Sequence, residues 1–315
     1  MEADGSTGVS KVRQHPKEVT ASQQGQFLKG CAFFLCALST LAALDALAKD
    51  LVQRNPAPLV NMVRYSVVLL MACSVMLLKR VPFRVEGPER KLLLLRGFCL
   101  GVVGVCFMPA LIYLPLGEAT ALYFLAPLIV VLLAPAVLGE RVGFKQYLAV
   151  LVGMIGMLLI VNPAGELSLI GSGLMLIAAC SFAMVQLLTR KLTHRVISEQ
   201  QFFYAAIVCT PMGLLVLLLF WPQTWPASSD ILELALMGFC GALGQYLLIF
   251  AFKFVPASTL APINYFQLVV AVVLSKIFFD QTPTLMSFAG IVLIAAAGLS
   301  LTLPMLLGYL RAKRK

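Results

Sequence analysis

Charge is scarce in this chain. Only 12% of its 315 residues are Asp, Glu, Lys or Arg, against roughly 25% in a soluble domain. That shortage excludes an ordinary water-solvated globule. Histidine is scarcer still: His15 and His194 are the two, and both fall outside the apolar runs. A histidine proton relay within a membrane is therefore excluded, and so is a histidine base for intramembrane catalysis. No HExxH or GxSxG sequence occurs, and no selectivity-filter sequence is visible, which argues against an intramembrane enzyme and against a channel. The eight cysteines show neither CxxC nor zinc-type spacing and fall within apolar runs, where free cysteine behaves as a small packing residue. No metal site and no cofactor are expected.

What the chain has is hydrophobic length. Its residues are 60% hydrophobic with a mean hydropathy of +0.94. Runs of about 20 apolar residues, enough to cross a hydrocarbon core of roughly 30 Å, recur near 28–48, 57–78, 92–112, 116–137, 142–162, 168–188, 199–220, 231–252, 256–279 and 284–307. The expected fold is an all-α membrane protein of ten transmembrane helices. The links are short and rich in turn residues, such as Asn55-Pro56-Ala57-Pro58 and Asn162-Pro163-Ala164-Gly165. Residues 1–27 read as a polar cytoplasmic tail, not as a signal peptide, and 308–315 as a basic one.

The net charge of +10 is explained by position. With the N-terminus inside, 20 of the 24 Lys and Arg lie in cytoplasmic segments, and the outward loops hold Lys49 and Arg54. This is the positive-inside pattern. It places both termini in the cytoplasm and assigns the basicity to topology and anionic lipid, not to nucleic acid. Trp221 and Trp225 flank the outer end of the seventh span, where indole rings favour the interface.

The chain also repeats. Gly97-Phe98-Cys99 recurs as Gly238-Phe239-Cys240, an offset of 141 that also pairs Ala110 with Ala251, Pro115 with Pro256 and Leu133 with Leu274. The same offset lays spans one to five on spans six to ten, giving two five-helix repeats over 28–166 and 169–307. Because five is odd, the second repeat enters the membrane from the opposite side. Inverted repeats of this kind are the architecture of alternating access, with a site near the midplane between the halves.

Polar side chains inside the bilayer are costly, so each is a candidate for function. Asp45 in span one matches Gln186 of span six through the offset. Asp45 also precedes Lys49 by one turn, so a local ion pair competes with a role in substrate or proton handling. Arg64 in span two lies close enough to the outer boundary to snorkel; it either pairs with Asp45 or Glu118 or binds an anionic group. Span four carries Glu118, Tyr123, Pro127 and Pro135, and span nine carries Pro262, Asn264, Tyr265 and Gln267. Tyr123 matches Asn264. Prolines open kinks where a helix lines a cavity, although helix–helix hydrogen bonds give an alternative role for these polar groups. The glycines Gly97, Gly101, Gly104, Gly238, Gly241 and Gly244 form close-approach faces on spans three and eight, with Gln245 and Tyr246 following the second stripe. Asp45 and Glu118 are the carboxylates available if transport is coupled to protons.

At these residues the chain resembles the drug/metabolite transporter superfamily, in its EamA-type ten-helix branch, from about 28 to 307. The resemblance rests on Leu44-Asp45-Ala46-Leu47-Ala48-Lys49, Arg64-Tyr65, Leu95-Arg96-Gly97, Leu114-Pro115-Leu116-Gly117-Glu118-Ala119-Thr120-Ala121 with Pro127, and Leu138-Gly139-Glu140-Arg141. In the second half it rests on Ala251-Phe252, Pro256-Ala257-Ser258, and Leu260-Ala261-Pro262 with Tyr265 and Gln267. It implies a multi-pass secondary transporter of a small organic metabolite in a bacterial inner membrane. Asp-Ala-Leu-Ala-Lys and Ala-Pro-x-x-Tyr look closest to bacterial riboflavin and S-adenosylmethionine carriers, with riboflavin or a similar vitamin as the first expected cargo. S-adenosylmethionine, an amino acid or another metabolite is the alternative. Tyr113, Tyr123, Tyr246 and Tyr265 are candidates to stack on a ring system. The expected partners are the cargo and the bilayer, with protons as a candidate coupling ion; the oligomeric state is open, a monomer included.

Overall fold

The computed structural model describes residues 21–138, 143–161, 168–192, 195–222, 225–251, 254 and 265–312, and its secondary structure among these is helical throughout. The helices are α1 (Ala21–Arg54), α2 (Ala57–Leu78), α3 (Pro88–Tyr113), α4 (Leu116–Tyr123), α5 (Ala126–Leu138), α6 (Phe144–Val161), α7 (Leu169–Leu192), α8 (Ser198–Leu219), α9 (Ser228–Ala251), α10 (Tyr265–Phe279) and α11 (Leu285–Ala312). Among the described residues seven spans are long and apolar enough to cross a membrane, and three shorter apolar helices, Phe144–Ile160, Phe266–Phe279 and Leu285–Ser300, join them. These are the ten expected spans, because α4 and α5 together form the fourth.

The fourth span breaks instead of merely kinking. Pro127 has no N–H to donate to the carbonyl of Tyr123, and it disfavours helical geometry at the residue before it. The chain closes α4 with Phe124 N–H on Thr120 O at 3.0 Å and Leu125 N–H on Leu122 O at 3.1 Å, then restarts with Leu128 N–H on Leu125 O at 2.9 Å. Pro109 and Pro211, by contrast, are carried inside continuous helices.

The packing obeys the two-fold suggested by the repeat. Exchanging the halves turns the pair α1–α9 into α7–α3, α2–α9 into α8–α3, and α1–α10 into α7 against α4 and α5; all of these pairs are packed, as are the self-related pairs α2–α8, α4–α10 and α6–α11. The match extends to single residues. A Cβ on Gly97 would press on Val208 at 2.9 Å, and one on Gly238 would press on Val67 at 2.8 Å; 97 and 238, and likewise 67 and 208, are both 141 apart. Each half reuses the same close approach against the other.

One ion pair follows the same rule. At one end of the bundle Arg54, in the last turn of α1, donates to Asp230 in the first turn of α9 at 2.8 Å, and also contacts Glu233 at 2.6 Å and Asp50. At the other end Arg195, just beyond α7, pairs with Glu89 in the first turn of α3 at 3.4 Å. Arg195 and Asp230 are Arg54 and Glu89 moved by 141. In both pairs the acid sits at a helix N-terminus and the cation near a helix C-terminus, as the helix dipoles favour.

The end that carries Arg195 is the basic end of the bundle. There α2 closes with Arg80 in the left-handed region (φ 52°) and with Val81 N–H on Met76 O at 3.0 Å, a Schellman-type turn that glycine usually makes. Residues 79–87 then lie across the start of α8. Lys79 meets Glu199 at 2.7 Å, Gln200 Nε2 donates to Pro82 O at 2.9 Å, Val85 N–H donates to Tyr204 Oη at 3.1 Å, and Phe83 packs edge-on against Phe203. Glu199, and after it Tyr246, hold the Lys79 ammonium above the ordinary lysine range.

At the α6–α11 crossing the two backbones touch: a Cβ on Gly290 would overlap Gly156 O and lie 3.2 Å from Ile160 N. Backbone cannot move aside as a flexible side chain can. Gly290→Ala is expected to cost about 2 kcal/mol through overpacking. Gly173 in α7 has nothing within 4 Å of its notional Cβ, so Gly173→Ala should be neutral or stabilise by up to about 1 kcal/mol. Thermal unfolding of the two purified variants in one detergent checks both signs.

Candidate functional site

The candidate polar residues of the bundle interior are carried by α1, α2, α4, α7 and α10. Asp45 is buried on α1 and accepts a hydrogen bond from Gln267 Nε2 of α10 at 3.1 Å. Arg64 of α2 reaches toward the same region: Asp45, Arg64 and Tyr123 lie within electrostatic range of one another. Tyr123 ends α4 at the break in the fourth span, and its ring stacks on Phe182 of α7 (centroids 4.9 Å apart) and meets Phe107 of α3 edge-on at 5.3 Å. A carboxylate, a guanidinium and an aromatic stack thus lie within electrostatic range of one another in the bundle interior.

Two expected pairings do not form. Lys49 does not pair with Asp45, although it follows by one turn. Its Nζ turns to α3 and donates to the carbonyls of Leu111 at 2.5 Å and Leu114 at 2.7 Å, which the end of that helix and Pro115 leave without backbone donors. Lys49 is 4% exposed and interacts electrostatically with buried Glu118 in the first turn of α4. Arg64 forms no ion pair with a carboxylate among the described residues. It donates to Asn61 Oδ1 at 3.0 Å, and its guanidinium lies 4.8 Å from the centroid of the Tyr65 ring. Tyr65 is fixed in turn by the carbonyls of Leu100 and Gly101, both at 3.3 Å. Gly104 makes room for this cluster, since a Cβ there would collide with Arg64 and Tyr65.

The remaining candidates divide by position. Gln186 is half-buried on α7, one turn beyond Phe182, so it shares the face that carries the aromatic stack. Gln245 is half-buried on α9. Tyr246 leaves the site for the basic end, where Lys79 Nζ lies 5.4 Å from its ring and Phe250 stacks on it. Tyr113 ends α3 and is half-exposed. Asn264 and the side chain of Tyr265 fall outside the described residues. Sequence reasoning missed Asn61, Phe107 and Phe182. Asn61 was within reach, because a buried amide one turn from Arg64 meets the criterion that singled out Arg64 itself. The two phenylalanines carry no signal in an apolar chain with 20 of them.

This is a helical, multi-pass membrane protein built of two inverted repeats, which is the organisation of a small-molecule transporter. The EamA-like transporter family matches twice, over 28–162 and 169–303, and the chain belongs to that family. It is 27% identical over 283 residues to an S-adenosylmethionine uptake transporter of Rickettsia prowazekii, covering 87% of this chain and 92% of the relative. It is 28% identical over 276 residues to a pseudopaline exporter of Pseudomonas aeruginosa, covering 87% and 95%. An uncharacterized transporter of Helicobacter pylori is 30% identical over 220 residues, covering 67% and 74%. A solved crystal structure shares the fold with a TM-score of 0.63 at 20% identity, covering 89% of this chain and 97% of the other.

Proposed function

We propose that the protein carries a zwitterionic, amino-acid-type metabolite by alternating access, with S-adenosylmethionine as the leading cargo. The membrane is the bacterial inner membrane, with the basic end and both termini in the cytoplasm. The observation that carries this reading is the grouping of Asp45, Arg64 and the Tyr123–Phe182 stack. Asp45 is positioned for an ammonium or sulfonium, Arg64 for a carboxylate, and the stacked rings for an adenine. Gln267 holds the Asp45 carboxylate in place. Riboflavin, the first cargo expected from sequence, carries no ammonium or carboxylate to meet either charge, and a buried charge without a partner is costly. The relatives' names support the S-adenosylmethionine alternative and give riboflavin no support.

With Glu118 facing Lys49, Asp45 is the carboxylate left to carry a proton if flux is coupled to one. The orientation rests on the distribution of Lys and Arg.

The test is counterflow in proteoliposomes. Vesicles preloaded with unlabelled S-adenosylmethionine should accumulate the labelled compound with saturable kinetics, in either membrane direction. Unlabelled S-adenosylmethionine should compete and riboflavin should not. Counterflow of riboflavin without counterflow of S-adenosylmethionine would overturn the cargo, and a non-saturating conductance would overturn the carrier.

A further inference from the structure

In an inverted-repeat carrier each half adopts in one state the conformation the other half holds in the opposite state. A contact present together with its mirror image is mapped onto itself by that exchange and survives it. A contact whose mirror image is missing must break, and the mirror image must form. The offset of 141 therefore sorts the contacts of a single conformation into those that persist and those that change, on the alternating-access reading proposed above.

The pairs Arg54–Asp230 and Arg195–Glu89 are mirror images present together, as are Gly97–Val208 and Gly238–Val67. The ion pairs bind α1 to α9 and α7 to α3, the glycine contacts bind α2 to α9 and α8 to α3, and they belong to bodies that move as units. Lys79–Glu199 is different. Its mirrored positions are Phe220 and Pro58, neither of which bears a charge. Phe220 is 67% exposed at the end of α8, and Trp221 and Trp225 beyond it are exposed too. At the basic end the strap 79–87 grips the start of α8 through Lys79, Pro82, Phe83 and Val85. At the opposite end the rings of Phe220, Trp221 and Trp225 are exposed.

We infer that the Lys79–Glu199 pair is a cytoplasmic latch that opens during the cycle, and that Phe220 then closes on Pro58 at the outer end of the same two helices. The closure that opens inward is held by an ion pair, whereas its outward counterpart is apolar. The two states are thereby given different locks, and the resting balance is set by the cytoplasmic one. The mirrored pairs Arg54–Asp230 and Arg195–Glu89 stay closed throughout.

The test is disulfide trapping of the Pro58→Cys/Phe220→Cys variant in membrane vesicles, oxidised with copper phenanthroline. Each single-cysteine variant controls for the eight native cysteines. Adding Lys79→Gln should raise the cross-linking rate roughly fivefold, the effect of one partly exposed ion pair on a two-state balance. Glu199→Gln should do the same, and the swap Lys79→Glu/Glu199→Lys should return the rate to that of the parent. Arg54→Gln should leave it within about twofold. An unchanged rate in both latch variants, or an equal rise with Arg54→Gln, overturns the latch while leaving alternating access standing. A pair that cross-links in no variant, with or without S-adenosylmethionine, overturns the closure of Phe220 on Pro58, whereas alternating access itself stands or falls with the counterflow assay.

Discussion

Asp45→Asn protein is expected to insert and fold normally and to lose about 100-fold in substrate flux. The substitution keeps the shape and the hydrogen bond with Gln267 and removes the charge. A buried charge that meets a cation in the bound state contributes roughly 2–5 kcal/mol, and each 1.4 kcal/mol is a factor of ten. Gln267→Ala should cost much less, about fivefold, because it only loosens the carboxylate. Counterflow rates normalised to the amount of monodisperse protein measure both. Full activity in Asp45→Asn would return that residue to a structural role and would leave Arg64 to be examined for substrate contact by itself.

The second large effect is on stability. Lys49→Met should lower it by about 4 kcal/mol, or about 10 °C in melting temperature for a chain of this size. The reason is what it leaves behind. The carbonyls of Leu111 and Leu114 lose their donor and Glu118 loses its neighbouring cation, and an unsatisfied polar group at membrane depth is costly. Lys49→Arg should recover part of the loss. Thermal unfolding of the purified variants checks this, and if Lys49→Met melts with the parent, the α3 carbonyls have another donor.

How far the sequence leads is clear from these two residues. Asp45 and Lys49 stand one turn apart, and helical spacing alone makes an ion pair between them plausible. The structure separates them because the end of α3 needs a donor and Asp45 already has Gln267. That competition depends on which helices are neighbours, and spacing within α1 carries no information about it. The spans themselves were legible because hydrophobic length is a direct physical requirement: α2 runs over Ala57–Leu78, as its apolar run predicts. The break in the fourth span was half-legible. Pro127 announces a distortion, but whether a helix bends or stops depends on which carbonyls find other donors. The aromatic platform was the least visible part, since Phe107 and Phe182 acquire meaning only by meeting Tyr123.

The mirrored contacts have a consequence for origins. Gly97 against Val208 and Gly238 against Val67 are one contact made twice, and so are Arg54–Asp230 and Arg195–Glu89. An unfused ancestor of five spans would have met an inverted copy of itself through those same residues, as an antiparallel homodimer. Such a chain must insert in both directions, which demands nearly balanced loop charges. Joining two such copies releases each half from that balance and lets it commit to a single orientation. The fused chain could then also place a charge in one copy without placing it in the other, as it has at Lys79 and Glu199.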